Sequence, residues 1–486
     1  MLHIPILRAG QIYHSLSKVE LPHSQTKEPM AIVSQANPGL IARDFMSMPK
    51  NQRTLDCFSV HDLIGICQRA GQYFMYDDLL IGDESQSASD YIDQLSASTG
   101  VPKTLCDKNM NKIFTVLDQM EDVLGGLTRG LDLGILDRGS GQQHGRTLGY
   151  ICTTHSLGAV LPSNSAGVHS LWLPSIPLKV PIVLKPGSAE PWTPYRVAQA
   201  FIKAGCPPEA FSFYPTDHSG ATELLLRSGK AMLYGGQSTV APWEFDPRIQ
   251  IHGPGWSKVL IGEDAVKGWE NYLDLLVAST TENSGRSCIN ASGIWLSSNG
   301  QSVAEALAER FRQIEALPLD HPQAKLAAFT NPLVAYQLSE MIDSQLKIEG
   351  AIDLTAEMFG MDRIVEVNGY TFMLPMVVYC TDPEHPLANT EFLFPFVSVV
   401  ETPQSQILDQ IGSTLVATAI TNDDAFVADL LHCTDIERLN IGQIPTNKIS
   451  WDQPHEGNLF ELLYRQRAFQ HSTPPPEFQR SAVASV

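Results

Sequence analysis

One of the eight cysteines is placed where it could act. Cys288 follows Asn283-Ser284-Gly285-Arg286-Ser287 and precedes Ile289-Asn290 and the apolar run Gly293-Ile294-Trp295-Leu296. Glycine and small polar residues between a helical stretch and an apolar stretch put the thiol on a loop or a helix start. Backbone N–H groups at such a place favour a thiolate and can hold an oxyanion. Taken alone, a cysteine is more often an inert core residue. Asn164, in Leu161-Pro162-Ser163-Asn164, offers a neutral amide that keeps its protons at any working pH; on its own it would be a turn residue. His252, before Gly253-Pro254-Gly255, is either a base titrating near neutrality or a structural histidine ahead of a turn. Lys185 closes Ile182-Val183-Leu184, and Glu391 opens Glu391-Phe392-Leu393-Phe394-Pro395. Each has a plain reading, as a solvated strand-end lysine and as an acidic residue leading a buried strand.

The elements that must position these residues can be traced along the chain. Helical spacing covers Ser59 to Leu80 and about Asp107 to Val123, with Met110, Ile113, Phe114, Leu117 and Met120 on one face. Residues 1–50 are polar with scattered proline and read as a loosely structured arm. Gly139 to Gly145 is glycine-rich, but no amphipathic helix follows it as a phosphate-binding turn requires; a hairpin or an arm is expected. From Ile182 the pattern alternates. Strands are expected at Ile182–Lys185, Phe211–Tyr214 and Ala231–Tyr234, with a helix between each pair. The first of these helices is expected to be capped by Thr193, with Pro194 at its first position. Such alternation predicts parallel βαβ units, which bind ligands beyond the carboxyl ends of their strands. A second alternation follows, with strands at Lys258–Ile261, Thr371–Tyr379, Phe396–Val400 and Leu415–Ile420, and a helix from Ala265 to about Thr280 leading into the cysteine loop. Ser472 to Pro476 is proline-rich and reads as disordered.

Composition narrows the classes. A chain of 486 residues with 43% hydrophobic and 18% charged content is globular and long enough for two or three domains. A net charge of −20 disfavours a nucleic-acid or anionic-membrane partner. No Cys-x-x-Cys or His-Glu-x-x-His spacing occurs, so neither a metal site nor a disulfide framework is expected. A reducing cytoplasm fits best, and no signal peptide or membrane segment is expected.

Over roughly residues 110–460 the chain resembles the aldehyde dehydrogenase superfamily. Gly285-x-x-Cys288 matches its nucleophile loop, and Asn164 its oxyanion-donating Pro-x-Asn. Lys185-Pro186 matches the Lys-Pro that contacts the adenosine ribose, and Glu391 the glutamate that binds the nicotinamide-side ribose. Three departures accompany the match. Ser188 stands where the family often has an acidic residue gripping ribose hydroxyls, which makes NADP admissible beside NAD. Leu233-Tyr234-Gly235-Gly236 replaces the family's Phe-Thr-Gly-Ser cofactor segment. His252 takes the place of the glutamate that activates water in hydrolytic members, a feature similar to CoA-acylating members and acyl-CoA reductases.

The resemblance implies an α/β fold with two Rossmann-like parallel-sheet domains plus an oligomerisation arm. It divides the chain into 1–124 as the helical start of the cofactor domain, 125–150 as the arm, 151–250 as the cofactor domain, 251–440 as the catalytic domain and 441–486 as a C-terminal arm and tail. It implies an enzyme that uses NAD or NADP and takes an aldehyde or an acyl thioester through a Cys288 thiohemiacetal and thioester. A homodimer or homotetramer is expected, and Glu456 is implied as a proton relay. A scaffold that has lost turnover is the reading from another class.

Overall fold

The computed structural model describes residues 1–470 apart from Met361 and His455. The proline-rich stretch from Ser472 to Pro476 lies outside the described residues. Two seven-stranded sheets carry the architecture. The first is built from β1 (Ile6–Arg8), β2 (Gln11–Tyr13), β3 (Leu157–Val160), β4 (Ile182–Lys185), β5 (Phe211–Phe213), β6 (Lys230–Tyr234) and β7 (Ile249–His252), in the order β7-β6-β3-β4-β5-β1-β2. Strands β3 to β7 are parallel. The chain runs outward from β3 to β4 and β5, then crosses to β6 and β7 on the other side. The direction of winding therefore reverses at the carboxyl end of β3, where such sheets open a crevice.

Residues 1–50 correct the expectation of a loose arm. Strand β1 pairs antiparallel with β5, and Leu2–Ile4 pairs with Pro29–Ser34, which in turn pairs with Lys18–Pro22. Ile4, Ile6 and Leu7 are fully buried. Strands of three residues are too short for a periodic signal; it is the waiting sheet edge that orders them.

Helices α1 (Val60–Tyr76) and α2 (Lys103–Asp118) pack beside this sheet. A capping box between Ser59 and Asp62 starts α1. The helix expected over 107–123 is two helices, because Gln119 leaves helical backbone between α2 and Met120–Thr128. Between β4 and β5 runs α3 (Trp192–Lys203), and between β5 and β6 runs α4 (His218–Arg227). Thr193 is not the cap of α3. Its N–H and its hydroxyl both donate to Glu190 Oε1, at 2.8 and 2.6 Å, so the glutamate satisfies the free helix end.

The second sheet comprises β8 (Ser257–Ile261), β9 (Ala291–Leu296), β10 (Ala351–Asp353), β11 (Met376–Cys380), β12 (Phe396–Glu401), β13 (Thr414–Ile420) and β14 (Ile436–Ile441), in the order β10-β11-β12-β9-β8-β13-β14. All pairs are parallel except β10 with β11. Leu260, Ile261, Ile294, Trp295 and Leu296 are fully buried, as expected of strands covered on both faces. The strand expected over Thr371–Tyr379 is divided at Leu374-Pro375. Tyr370–Met373 turns back on Ile364–Val367, and only Met376–Cys380 enters the sheet; proline has no N–H for a central ladder. The glycine-rich stretch forms the expected hairpin, Ser140–Gln143 with Arg146–Cys152, and Tyr464–Gln466 adds to it as a third strand.

Candidate active site

A cleft of about 740 Å³ opens between the carboxyl ends of the first sheet and the amino ends of the second. Cys288, Asn164, His252, Gly235, Gly236 and Glu391 all line it, and so does Glu456. Their places in the chain explain the convergence. Asn164 follows β3, Tyr234-Gly235-Gly236 follows β6 and His252 ends β7. From the other side, Cys288 precedes β9 and Glu391 precedes β12. Lys185 and Ser188 lie at and just after the end of β4, outside the cleft lining, with Ser188 exposed.

The thiol loop is held on every side. After α5 (Leu273–Thr281), the residues Asn283, Ser284 and Gly285 take left-handed backbone angles in succession, with φ of 51°, 59° and 64°. Two of the three are not glycine, and a conformation this costly persists only where neighbours enforce it. Asn283 Nδ2 donates to Ser165 Oγ and Ser287 Oγ at 3.1 and 3.0 Å. Ser284 Oγ accepts the Ala327 N–H at 2.8 Å. A side chain at Gly285 would meet the Pro395 nitrogen at 2.6 Å, so only glycine fits there. Asn290 accepts the Ser287 N–H and donates to the carbonyls of Ser279 and Glu282, tying the loop back to α5. Behind Cys288, Ser257 donates to its carbonyl at 2.7 Å, and a Cβ on Gly255 would lie 1.9 Å from that oxygen.

Sequence reading passed over Arg286. Its guanidinium is buried, donates to the Ala328 carbonyl at 2.7 Å and lies over the Phe329 ring. Burial lowers its pKa to about 10. It pins the loop to the 327–329 segment, a contact with no local sequence signal.

The electrostatics differ from the expectation of a thiolate stabilised by N–H groups. Cys288 donates its S–H to Glu456 Oε2 at 3.3 Å. Burial, then the carboxylates of Glu456 and Glu391, push the thiol pKa well above its ordinary value. Glu391 is itself raised to about 7 by burial, although its Oε2 accepts the N–H groups of Gly255 and Trp256 at 3.0 and 2.7 Å. Lys258 on β8 is lowered to about 7 by burial. The site thus stores the thiol as a neutral group next to a proton acceptor.

His252 does not touch the thiol. Its ring stacks on Tyr234 at 4.3 Å between centroids, and its Nδ1 is 3.7 Å from Glu456 Oε2. Glu456 therefore stands between Cys288 and His252. It has a left-handed φ of 52°, and Gln250 Nε2 donates to its carbonyl at 2.8 Å. Asn164 uses one amide N–H on the Arg286 carbonyl at 2.8 Å, which leaves the second for another acceptor. Among the described residues the Cys288 N–H meets no acceptor.

The rim of the first sheet can accept a dinucleotide. A Cβ placed on Gly236 would have nothing within 4 Å, so a ligand can approach the backbone there. Among the described residues, Tyr234 Oη and His252 Nε2 are buried without a hydrogen-bond partner. Lys185 points from the end of β4, its pKa lowered by burial. The nearest acidic candidate, Glu190, is fully buried with Oε1 on Thr193 and Oε2 on His169 at 2.9 Å, so it is not free to grip a ribose.

A family model described as the aldehyde dehydrogenase family matches residues 172–457. No sequence among the curated proteins matches the chain. Among solved structures the chain is similar to an NAD-dependent benzaldehyde dehydrogenase from Corynebacterium glutamicum, with 14% identity and a TM-score of 0.75 over 95% of this chain and 97% of that one. It is similar to a putative methylmalonate-semialdehyde dehydrogenase from Sinorhizobium meliloti 1021 complexed with NAD, with 15% identity and a TM-score of 0.76 over 98% and 99%. A 3,6-anhydro-L-galactose dehydrogenase in complex with NAP gives 12% identity and a TM-score of 0.76 over 96% and 99%.

Proposed function

The chain belongs to the aldehyde dehydrogenase family, and from that premise we propose that it oxidises an aldehyde with NAD or NADP through Cys288, releasing the acyl group to water. The observation that carries this reading is the Glu456 carboxylate 3.3 Å from the Cys288 sulfur. It offers the base that position 252 lacks.

Glu456 takes the thiol proton, and the Cys288 sulfur bonds to the aldehyde carbon. The carbonyl oxygen, now an alkoxide, is held by the second N–H of Asn164 and the N–H of Cys288. Lys185, Ser188, Gly235 and Gly236 on the rim of the first sheet, with Glu391 facing them from the second, would hold NAD or NADP, which would supply the acceptor for the hydride that this carbon loses. The acyl group is then on the sulfur as a thioester. Glu456 passes its proton to His252, whose Nδ1 lies 3.7 Å from Glu456 Oε2. The freed carboxylate deprotonates a water, the water oxygen bonds to the acyl carbon, the carbon–sulfur bond breaks with the sulfur leaving as a thiolate, and Glu456 returns the proton to it, restoring the thiol.

Ser188, with Glu190 turned inward, removes the carboxylate that would repel a 2′-phosphate, which supports use of NADP. The free edges of the three-stranded sheet formed by 140–152 and Tyr464–Gln466 support pairing between subunits as a homodimer or a dimer of dimers; light scattering reads this directly. No helix among the described residues is long and apolar enough to cross a membrane.

The test is a pre-steady-state measurement of reduced cofactor with and without CoA, for the wild type and His252→Ala. Release to water predicts a full first burst in both proteins, slower steady turnover in the variant by about tenfold, and little effect of CoA. A large CoA stimulation of the wild type would move the protein to acyl transfer onto a thiol.

A further inference from the structure

The substrate side of the cleft is formed by one face of α2. Lys108, Asn111, Lys112 and Thr115 recur at helical spacing and all turn to the cleft. In a chain with a net charge of −20, two lysines on the wall of an internal cleft ask for an explanation.

Lys108 has one in the protein, because it is ion-paired with Glu282 at the start of the thiol loop. Lys112 has none. Among the described residues no hydrogen bond or ion pair engages its ammonium. Its stem passes over Gly167, where an added Cβ would lie 3.4 Å from the lysine Cδ. The head is thereby aimed into the cleft, close enough to interact electrostatically with both Glu456 and Cys288. The same cleft is also lined by the apolar side chains of Val168, Leu171, Leu393 and Ile449. Burial destabilises the ammonium, and a lysine kept charged in such a place gains from an anion arriving beside it.

From this arrangement we propose that the substrate is an aldehyde carrying an anionic group a few apolar carbons from its carbonyl, and that Lys112 binds that group while Cys288 attacks the carbonyl. This deepens the reading given above and rests on it. The apolar residues take the spacer, and Lys112 recognises the terminal charge as a point charge without the fork geometry of arginine. The plain alternative is that Lys112 only balances Glu456.

The experiment compares succinic and glutaric semialdehydes with butanal and pentanal, using the full chain with NAD and NADP, for the wild type and Lys112→Met. Glyceraldehyde 3-phosphate serves as the phosphorylated arm. The expected result is that the wild type prefers a semialdehyde over the uncharged aldehyde of the same length by about tenfold or more in kcat/KM. Lys112→Met should lose that preference through KM, with a clearly smaller fall on the uncharged aldehydes than on the semialdehydes, and Lys112→Arg should regain part of it. A preference for the phosphorylated arm alone would identify the anion as phosphate and keep the lysine's role. Equal wild-type rates on charged and uncharged aldehydes would overturn the proposal. So would an equal fall on both in Lys112→Met, which is the outcome expected if the lysine only balances Glu456. Reduced cofactor from none of the aldehydes in the wild type would instead overturn the reading as an NAD(P)-dependent aldehyde oxidation through Cys288.

Discussion

The two rims of the cleft are built on opposite plans. Around the thiol, non-glycine residues with left-handed backbone are concentrated: Trp256, Asn283, Ser284 and Glu456. Asn283 is fastened by Ser165 and Ser287, Ser284 by the Ala327 N–H, Trp256 by Glu391 and Glu456 by Gln250 and Cys288, and the charges are buried and shifted. On the rim formed by β4 and β6, none of Lys185, Ser188, Gly235 and Gly236 combines a side chain with left-handed backbone. Ser188 is exposed, and Gly236 is open to approach. Strain is tolerated where a reacting atom must be fixed in place. It is absent where a ligand has to arrive and leave. Chemistry should therefore be lost steeply by changes on the thiol rim and only adjusted by changes on the other.

The largest effect expected is from Cys288→Ala. Turnover should fall about a thousandfold or more, while reduced-cofactor binding measured by fluorescence and the urea midpoint stay near wild type. Substantial activity in that variant would remove the thiol from the chemistry and dissolve the distinction between the rims.

Next comes Glu456→Gln. Steady-state turnover should drop by about a hundredfold or more, in the range of a lost general base. The rate of thiol alkylation against pH should shift to lower pH, because the nearest carboxylate raising the thiol pKa is gone. An unshifted alkylation profile would show that burial and Glu391, without Glu456, raise the thiol.

Glu391→Gln sharpens the contrast through stability. The folded-state pKa of this carboxyl is raised from 4.5 to about 7, so the native protein binds more protons than the unfolded chain between those values. The stability it contributes is complete below pH 4.5 and is lost as pH rises through about 7, on the order of 3 kcal/mol. Urea unfolding of the wild type should weaken across that window by more than unfolding of Glu391→Gln. Equal slopes would mean that the carboxyl is solvated and that this side of the site is not sealed.

The smallest effect is expected on the open rim. Ser188→Glu should shift the ratio of NADP to NAD affinity toward NAD by about fivefold, the size of one screened repulsion near a surface. No shift would place the adenosine ribose somewhere other than the end of β4.

Much of this protein was legible from its residues in order. Apolar runs of four to six residues separated by helical stripes are dictated by burial on both faces of a parallel sheet, so β4, β6, β8 and β12 could be read locally. Gly285 and Cys288 mark a constrained loop, and Asn164, His252 and Glu391 stand out through the resemblance of their segments to the family's motifs. β1 could not be read in this way, because three residues carry no period and its order comes from the β5 edge. Nor could the split at Pro375, where two chain directions compete for one apolar run. Distance is what only the tertiary structure decided. Cys288 and Glu456 are separated by 168 positions and meet at 3.3 Å; His252 was placed as the base by counting, and folding puts it behind Glu456. Lys112, Arg286 and Lys258 have unremarkable sequence surroundings, and their roles follow from what is buried beside them. The sign of the Cys288 shift depends on two carboxylates brought in from elsewhere in the chain, because electrostatics responds to separation in space and to dielectric, and neither is a property of order along the chain.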